Sequence, residues 1–456
     1  MRPLLGALAG FCLLAALTLA LPAAAAPADP LPPGNAFGAV RTLFRAIAGD
    51  EARVEPGLRG TLDLRLRQEV LNDLYTFDPV EPDRDWIRLR SRVGFACGWG
   101  NAHEVVGRLC SEFRKIRTPE TPVNYDEIII DRLLYRFRPS DWATLTAGRQ
   151  DIAWDDGLLV MDGTPLDGSR SAYMNALRLE FAADDPDLSL LEGFVAYNPA
   201  NDDFVLWDDD VERRLCDADE TAAALRLRVW HRQQLSLIWK RERDPDHARP
   251  ALDAWTLGYR VERVRGATGL MAEAALQQQD WSGGVARVDN GGYAWAGQLR
   301  LRRALGGQTR ADLGLFGYSG RDGDQLPFRT PWGRWPKWSE LTLYRLIGEG
   351  GVGAWANLAG SWIEFEHSDQ RGLVGLGGQL LLAPDPSWGY RGLLLRLRLE
   401  RSFKYGVGAQ LLIEQFGFLI GDEAITYSPA FGDAAALSIE KRSGSFLRLQ
   451  FTYELK

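Results

Sequence analysis

Apolar and polar residues alternate along most of this chain. In Trp86–Phe95, WIRLRSRVGF, one parity holds Ile87, Leu89, Ser91, Val93 and Phe95, and the other holds Arg88, Arg90 and Arg92. A period of two is the signature of a β-strand with one apolar and one charged face. The pattern recurs in 61–70, where Leu62, Leu64 and Leu66 alternate with Asp63, Arg65, Arg67 and Glu69. It recurs in 172–181 against Arg178 and Glu180, in 224–230 against Arg226 and Arg228, and in 293–302 against Gln298, Arg300 and Arg302. It recurs again in 393–400 against Arg396, Arg398 and Glu400, and in 447–455 against Arg448, Gln450, Thr452 and Glu454. Weaker alternation marks 104–113, 125–137, 141–150, 188–197, 235–243, 253–263, 269–279, 310–318, 354–366, 371–382 and 407–416. Beside Trp86–Phe95 these make about 17 segments of roughly nine to eleven residues, the length that crosses a bilayer at the tilt of a barrel strand.

Three guanidinium groups in a row on one strand face would repel one another in a small core, but they suit the wall of a wide, hydrated lumen. The sequence therefore predicts an all-β chain, a transmembrane antiparallel β-barrel of about 16–18 strands, with 18 preferred because bacterial barrels are even-numbered. A soluble sandwich or propeller is the competing arrangement. Asn35–Asp50 departs from the pattern: Phe37, Val40, Leu43, Phe44 and Ile47 recur at helical spacing and predict a short N-terminal helix.

The first residues read as a secretory signal. Arg2 is the one charge before Asp29, an apolar run spans Leu4 to Leu21, and Ala23–Ala26 supply small residues for cleavage after Ala25. The expected organisation is 1–25 signal peptide, 26–57 periplasmic segment with the short helix, and 58–456 barrel, in the outer membrane of a Gram-negative cell. Past the signal no apolar run reaches the ~18 residues of a membrane helix, so a membrane-bound form must be a closed barrel.

Composition modifies this picture in two ways. The chain is acidic, with 53 Lys and Arg against 61 Asp and Glu, and a nucleic-acid partner is not expected. Its basic residues are almost all arginine, only six being lysine, and the arginines sit on the polar parity of strands while aspartates crowd the loops. The low cysteine count (Cys97, Cys110 and Cys216 after the signal) does not build a disulfide framework, although Cys97 and Cys110 flank a possible hairpin turn and pairing stays open. The longest irregular stretches, 198–221 and 321–340 (with Trp332, Trp335 and Trp338), belong to loops that face outward or fold into the lumen. Asp208–Asp210 reads as a solvated acidic loop before a cation site.

Catalytic and cofactor signatures are lacking in the sequence. There is no G-x-S-x-G elbow, and His103, His231, His247 and His367 have no metal-type spacing and read as lumen or loop residues. Gly348–Gly353, GEGGVG, matches a dinucleotide fingerprint in letters, but an alternating strand follows it where a helix is needed. Glu364 and Glu366 read as salt-bridge partners of lumen arginines in preference to a glycosidase pair. No catalytic residue, metal or cofactor is expected. A barrel enzyme or surface-binding protein remains the alternative from another class.

Four stretches resemble the alginate-export family of outer-membrane porins: Asp63–Glu69 (DLRLRQE), Arg88–Phe95 (RLRSRVGF), Leu145–Gly157 (LTAGRQDIAWDDG) and Pro327–Trp338 (PFRTPWGRWPKW). Their order is similar as well. The resemblance implies a monomeric barrel of about 18 strands with an electropositive lumen, passing an acidic polysaccharide. Carried over on the matching motifs, it implies a pore-lining role for Arg65, Arg67, Arg88, Arg90, Arg92 and Arg149. Strand parity extends the candidate set to Arg178, Arg226, Arg228, Arg300, Arg302, Arg396 and Arg398. The expected partners are an anionic saccharide or small anionic solute, outer-membrane lipids and the barrel-assembly machinery. A general porin for small carboxylates or phosphate is the nearer alternative. The chain ends Tyr-Glu-Leu-Lys, where such barrels commonly end in an aromatic residue.

Overall fold

The computed structural model describes residues 56–72, 83–118, 123–161, 174–182, 190–202, 204–208, 218–229, 233–246, 249–284, 288–320, 322, 324–332, 339, 357–382, 392–418, 425–427, 435–437 and 443–455. The alternating segments are strands. They begin with β1 (Gly57–Asn72), β2 (Arg84–Trp99), β3 (His103–Thr118), β4 (Val123–Ser140), β5 (Ala143–Gln150), β6 (Met174–Ala182) and β7 (Leu190–Asn198). A short β8 (Val205–Asp208) precedes β9 (Asp219–Val229), β10 (Gln233–Arg243), β11 (Ala251–Arg265), β12 (Thr268–Gly283), β13 (Val288–Gly306) and β14 (Thr309–Tyr318). Then come β15 (Leu358–Asp369), β16 (Gly372–Leu382), β17 (Gly392–Ser402), β18 (Val407–Phe418), a small hairpin of β19 (Ile425–Tyr427) and β20 (Ala435–Leu437), and finally β21 (Ser443–Leu455).

β1–β7, β9–β18 and β21 form one antiparallel ring, in which each strand pairs with the next and β21 returns to β1. That is a closed 18-stranded barrel, the upper end of the expected range. Closure leaves no sheet edge, which is what allows strands to cross lipid. Connections at one end are tight turns, such as 100–102, 266–267 and 307–308, while the other end carries the long loops. This asymmetry is that of an outer-membrane barrel, with short turns on the periplasmic side.

Parity decides the faces. Leu66 lies opposite Leu89 on β2 and Phe451 on β21, and all three are exposed on the outer surface. The outward apolar row continues around the ring through Leu227 and Leu235, Leu237 and Leu257, Leu313 and Ile363, and Leu376. Aromatic side chains gather at the turn end, where Trp99 stacks on His103 (5.7 Å) and His103 on Phe137 (5.1 Å). Trp239 and Trp255 pack together near the loop end. These are the interfacial girdles of a membrane barrel. His103 and His367 are thus on the outer parity near the turn end, not in the lumen or a loop as expected; His231 and His247 lie outside the described residues.

The strands run longer than expected, with β13 reaching 19 residues. At the strand ends glycines interrupt the alternation, as at Gly57 and Gly60 on β1, while the hydrogen-bonded ladder continues. The cysteine pairing is excluded. Cys110 lies opposite Arg92 on the inner face, while Cys97 lies opposite Val105 on the outer face, and both thiols are free. The expected helix at 35–50, Gly348–Gly353 and Cys216 lie outside the described residues.

Candidate permeation site

Two loops from the long-loop end turn into the lumen. The first, 151–161 after β5, buries Ile152, Trp154, Leu158, Leu159 and Val160 inside the barrel. Its turn is closed by Trp154 N donating to the Val160 carbonyl (2.9 Å), and the Trp154 indole donates to Glu192 on β7 (2.9 Å). The second, 319–332 after β14, runs beside it. Val160 and Trp332 form a parallel bridge, Trp332 N donates to the Leu159 carbonyl (3.0 Å), and Thr330 Oγ1 donates to the Leu158 carbonyl (2.7 Å). Lys240 on β10 ties this loop down by donating to the Pro331 carbonyl (2.7 Å), its ammonium lying 5.0 Å from the Trp332 ring centre. Of the two arrangements left open for this stretch, the described part folds inward.

The tip of the first loop carries Asp155 and Asp156. Asp155 accepts from Gln234 (2.6 Å) and pairs with Arg226 and Arg228, and Asp156 pairs with Arg260 (3.0 Å) and Arg300 (3.2 Å). The loop is thereby clamped to β9–β13. Facing it across the lumen is a cavity of about 260 Å³ against β13–β17. Arg300, Arg302, Arg310, Arg396 and Arg398 line it, together with Asp312, Glu364, Glu366, Trp362 and Gln379. Glycine makes room here: a Cβ at Gly314 would lie 2.0 Å from the Trp362 ring, so only glycine lets that indole lie flat on the wall.

The expected pore-lining arginines divide into two groups. Arg65, Arg67, Arg90 and Arg92 on β1 and β2 are almost fully buried, and Arg88 nearly so. They belong to a packed charge network in which Glu69 meets Arg67, Arg88 and Arg448, Asp63 meets Arg90, and Glu112 accepts from Arg88 (2.7 Å). Arg178 and Arg226 both reach Glu192, Arg178 also meets Glu180, and Arg396 meets Glu414. Arg149 sits apart. The Gly148 backbone, at φ +116°, approaches the Leu133 carbonyl too closely for any Cβ, and Arg149 beyond it bonds Asp202, Asn175 Oδ1 (3.0 Å) and the Ile130 carbonyl (3.0 Å), under Phe204. There it anchors the 199–208 segment, whose β8 pairs with β4.

The second group reaches solvent. Arg302 is 41% exposed over an Asp312 that is 9% exposed; Arg310 is 42% exposed over Glu366 at 7%; Arg228 is 37% exposed over Asp155 at 12%. In each pair the carboxylate is the buried partner, Asp312 and Glu366 on the wall and Asp155 on the infolded loop, and the guanidinium is the exposed one. Near-neutral ion pairs thus present a cationic surface. Arg300 and Arg398 also reach the lumen, but beside carboxylates more exposed than themselves, Asp156 and Glu400.

Parity alone missed several participants. Arg310 and Arg260 sit on strands whose alternation is weaker in sequence. Asp131 is the extra residue of a bulge in β4, where the register slips between Arg108 and Leu109; it meets Arg108 (2.8 Å) and Arg92 (3.1 Å). Asp155 and Asp156 stood in a matching motif but carried no assigned role. The reading of Glu364 and Glu366 as salt-bridge partners holds for Glu366, which meets Arg310 (2.7 Å); among the described residues Glu364 has no such partner, because the strand on its far side offers Gly377. The side chains of Asp208–Asp210 lie outside the described residues.

No family model matches the chain, and none of the curated proteins matches it in sequence. Solved structures do match in fold. OpdO of Pseudomonas aeruginosa superimposes with a TM-score of 0.55 at 12% identity, over 89% of this chain and 98% of that one. OpdK of the same organism, solved with vanillate, gives 0.53 at 13% identity over 87% and 98%. OccAB4 of Acinetobacter baumannii gives 0.53 at 10% identity over 87% and 98%. A closed barrel with an apolar outer belt is the architecture of the Gram-negative outer membrane, and the fold is shared with these structures.

Proposed function

We propose that this barrel is a passive outer-membrane porin for small anionic solutes, carboxylates above all. The observation that carries this reading is the asymmetry of the lumen ion pairs, with exposed guanidiniums over buried carboxylates at Arg228, Arg302 and Arg310. Arginine stays protonated at any physiological pH, and rings of arginine select anions. A carboxylate can meet such a fork bidentately. Conduction also needs contacts weak enough to be exchanged, and each accessible arginine already has a carboxylate to return to. The OpdK structure with vanillate supports a carboxylate cargo. Conduits, not catalysts, are the nature of the structural neighbours, and the reading requires no cofactor.

Passage of an acidic polysaccharide of the alginate type is the second reading. The four ordered motifs support it. The two infolded loops favour the smaller cargo, because they occupy lumen space that a polymer would have to pass.

The test is single-channel recording of the purified barrel in planar bilayers under a salt gradient. The expected result is a reversal potential that reports chloride preferred over potassium, with the preference reduced when Arg300, Arg302 and Arg310 are replaced by Ser together. Cation preference, or indifference to the triple replacement, overturns the assignment. Prolonged block by soluble oligouronates, absent with monomeric carboxylates, would favour the polysaccharide.

A further inference from the structure

One carboxylate breaks the rule that governs this lumen. Asp156 pairs with Arg260 and Arg300, while Asp312 lies beneath Arg302 and Glu366 beneath Arg310. Glu364 lines the same cavity, on the inner face of β15, and among the described residues it accepts no hydrogen bond and meets no cation. Its row runs from Asp312 on β14 through Glu364 to Gly377 on β16, and the next row down runs from Glu366 through Gly375 to Arg398. The two glycines leave a bare strip of wall between the acids of β15 and the arginines of β17.

Gly375 locates the gap. A Cβ placed there would lie 3.5 Å from Glu364 Oε1 on one side and 3.7 Å from Arg398 Cβ on the other. The carboxylate and the arginine thus border one patch of backbone without pairing. Arg398 lies with Nε 3.1 Å from Glu400 Oε1, an ion contact without hydrogen-bond geometry, and its two terminal amines have no partner among the described residues. Trp362 lies one inward position from Glu364 on the same strand and adds an aromatic wall to the cavity.

We propose that this patch is a binding site for small zwitterions, amino-carboxylates whose ammonium sits on Glu364 and whose carboxylate is held by the terminal amines of Arg398. A solute with both charges compensates both groups at once. A plain carboxylate meets Arg398 but brings its charge close to the unpaired Glu364, and a plain ammonium suffers the reverse beside the arginines. Charge-assisted hydrogen bonds at both ends favour the zwitterion, and the aromatic face of Trp362 adds attraction for an ammonium. The site would act as a selective stopping point within the conduit proposed above, and it rests on that reading only for its role in passage.

The experiment records chloride current through single wild-type channels while adding 4-aminobutyrate, or its N-acetyl derivative, which keeps the carboxylate and loses the ammonium. The expected result is current block by 4-aminobutyrate lasting about tenfold longer than block by the N-acetyl compound, the effect of one well-placed charge contact. In Glu364→Gln this ratio falls to near one. In Gly375→Leu, which fills the strip, block by both compounds is lost. Equal block by the two compounds in the wild type, or an unchanged ratio in E364Q, overturns the proposal. Should the channel show no chloride preference, the anion-conduit reading fails by itself. Calorimetric titration of the detergent-solubilised barrel with the same two compounds then decides the site, binding of 4-aminobutyrate alone supporting it and equal or absent binding overturning it.

Discussion

Glu69 shows what holds arginines together in the wall of this barrel. It is fully buried, accepts from the Trp86 indole and Arg448 Nε at 2.7 Å each, and also meets Arg67 and Arg88. Removing its charge takes away the carboxylate shared by Arg67, Arg88 and Arg448, with Glu112 remaining for Arg88, and breaking such a buried pair costs about 3–5 kcal/mol. Glu69→Gln is therefore expected to lower stability by that order in urea unfolding from phospholipid vesicles; a loss under about 1 kcal/mol would mean that solvent screens the cluster. The alternation of arginine and acid on one parity was legible in the sequence, and so were the pairings of Asp63, Glu69, Glu180 and Glu400 with nearby arginines. Which arginines are buried and which meet solvent was not. Arg67 and Arg302 occupy equivalent positions in their strand patterns, and the difference lies in groups hundreds of residues away, such as Gln450, which accepts from Arg67 at 2.8 Å.

At the scale of the element, a strand has two faces with opposite requirements. Leu89 on β2 points outward between Leu66 and Phe113, while Arg88 and Arg90 on either side point in. Leu89→Arg places a guanidinium in the lipid belt, where it is expected to cost about 2–4 kcal/mol if near the midplane. Slower folding into vesicles, followed by heat-modifiable gel mobility, is the measurement; assembly at the wild-type rate would contradict the outward assignment. Strand existence and facing were legible because a half-buried ladder imposes a period of two wherever one side meets lipid. The bulge at Asp131 and the added strand β8 were not legible. Each depends on one extra residue or on a returning loop, and neither alters the local alternation enough to be seen.

For the whole molecule, closure is the governing fact. Joining β21 to β1 turns the polar faces of eighteen strands toward one another and makes a single electrostatic environment of them. The field from the accessible arginines acts through water, so it is screened over about 10 Å at 0.1 M salt but only about 3 Å at 1 M. The ratio of chloride to potassium permeability is therefore expected to fall markedly between 0.1 M and 1 M KCl, measured from reversal potentials. A ratio independent of salt would assign selectivity to pore size and not to charge.

The sequence by itself determined the barrel, the outward and inward faces, and the arginine-rich character of the lumen, because these follow from a periodicity that each strand carries alone. The WIRLRSRVGF strand contains all of that. Only the tertiary structure decided that its three arginines are packed into the wall, that the accessible cations lie across the lumen on β9, β13, β14 and β17, and that Glu364 faces Arg398 over a bare glycine. The reason is physical: burial and charge pairing depend on which strands the closed ring and the two infolded loops bring together, and local alternation holds no record of that.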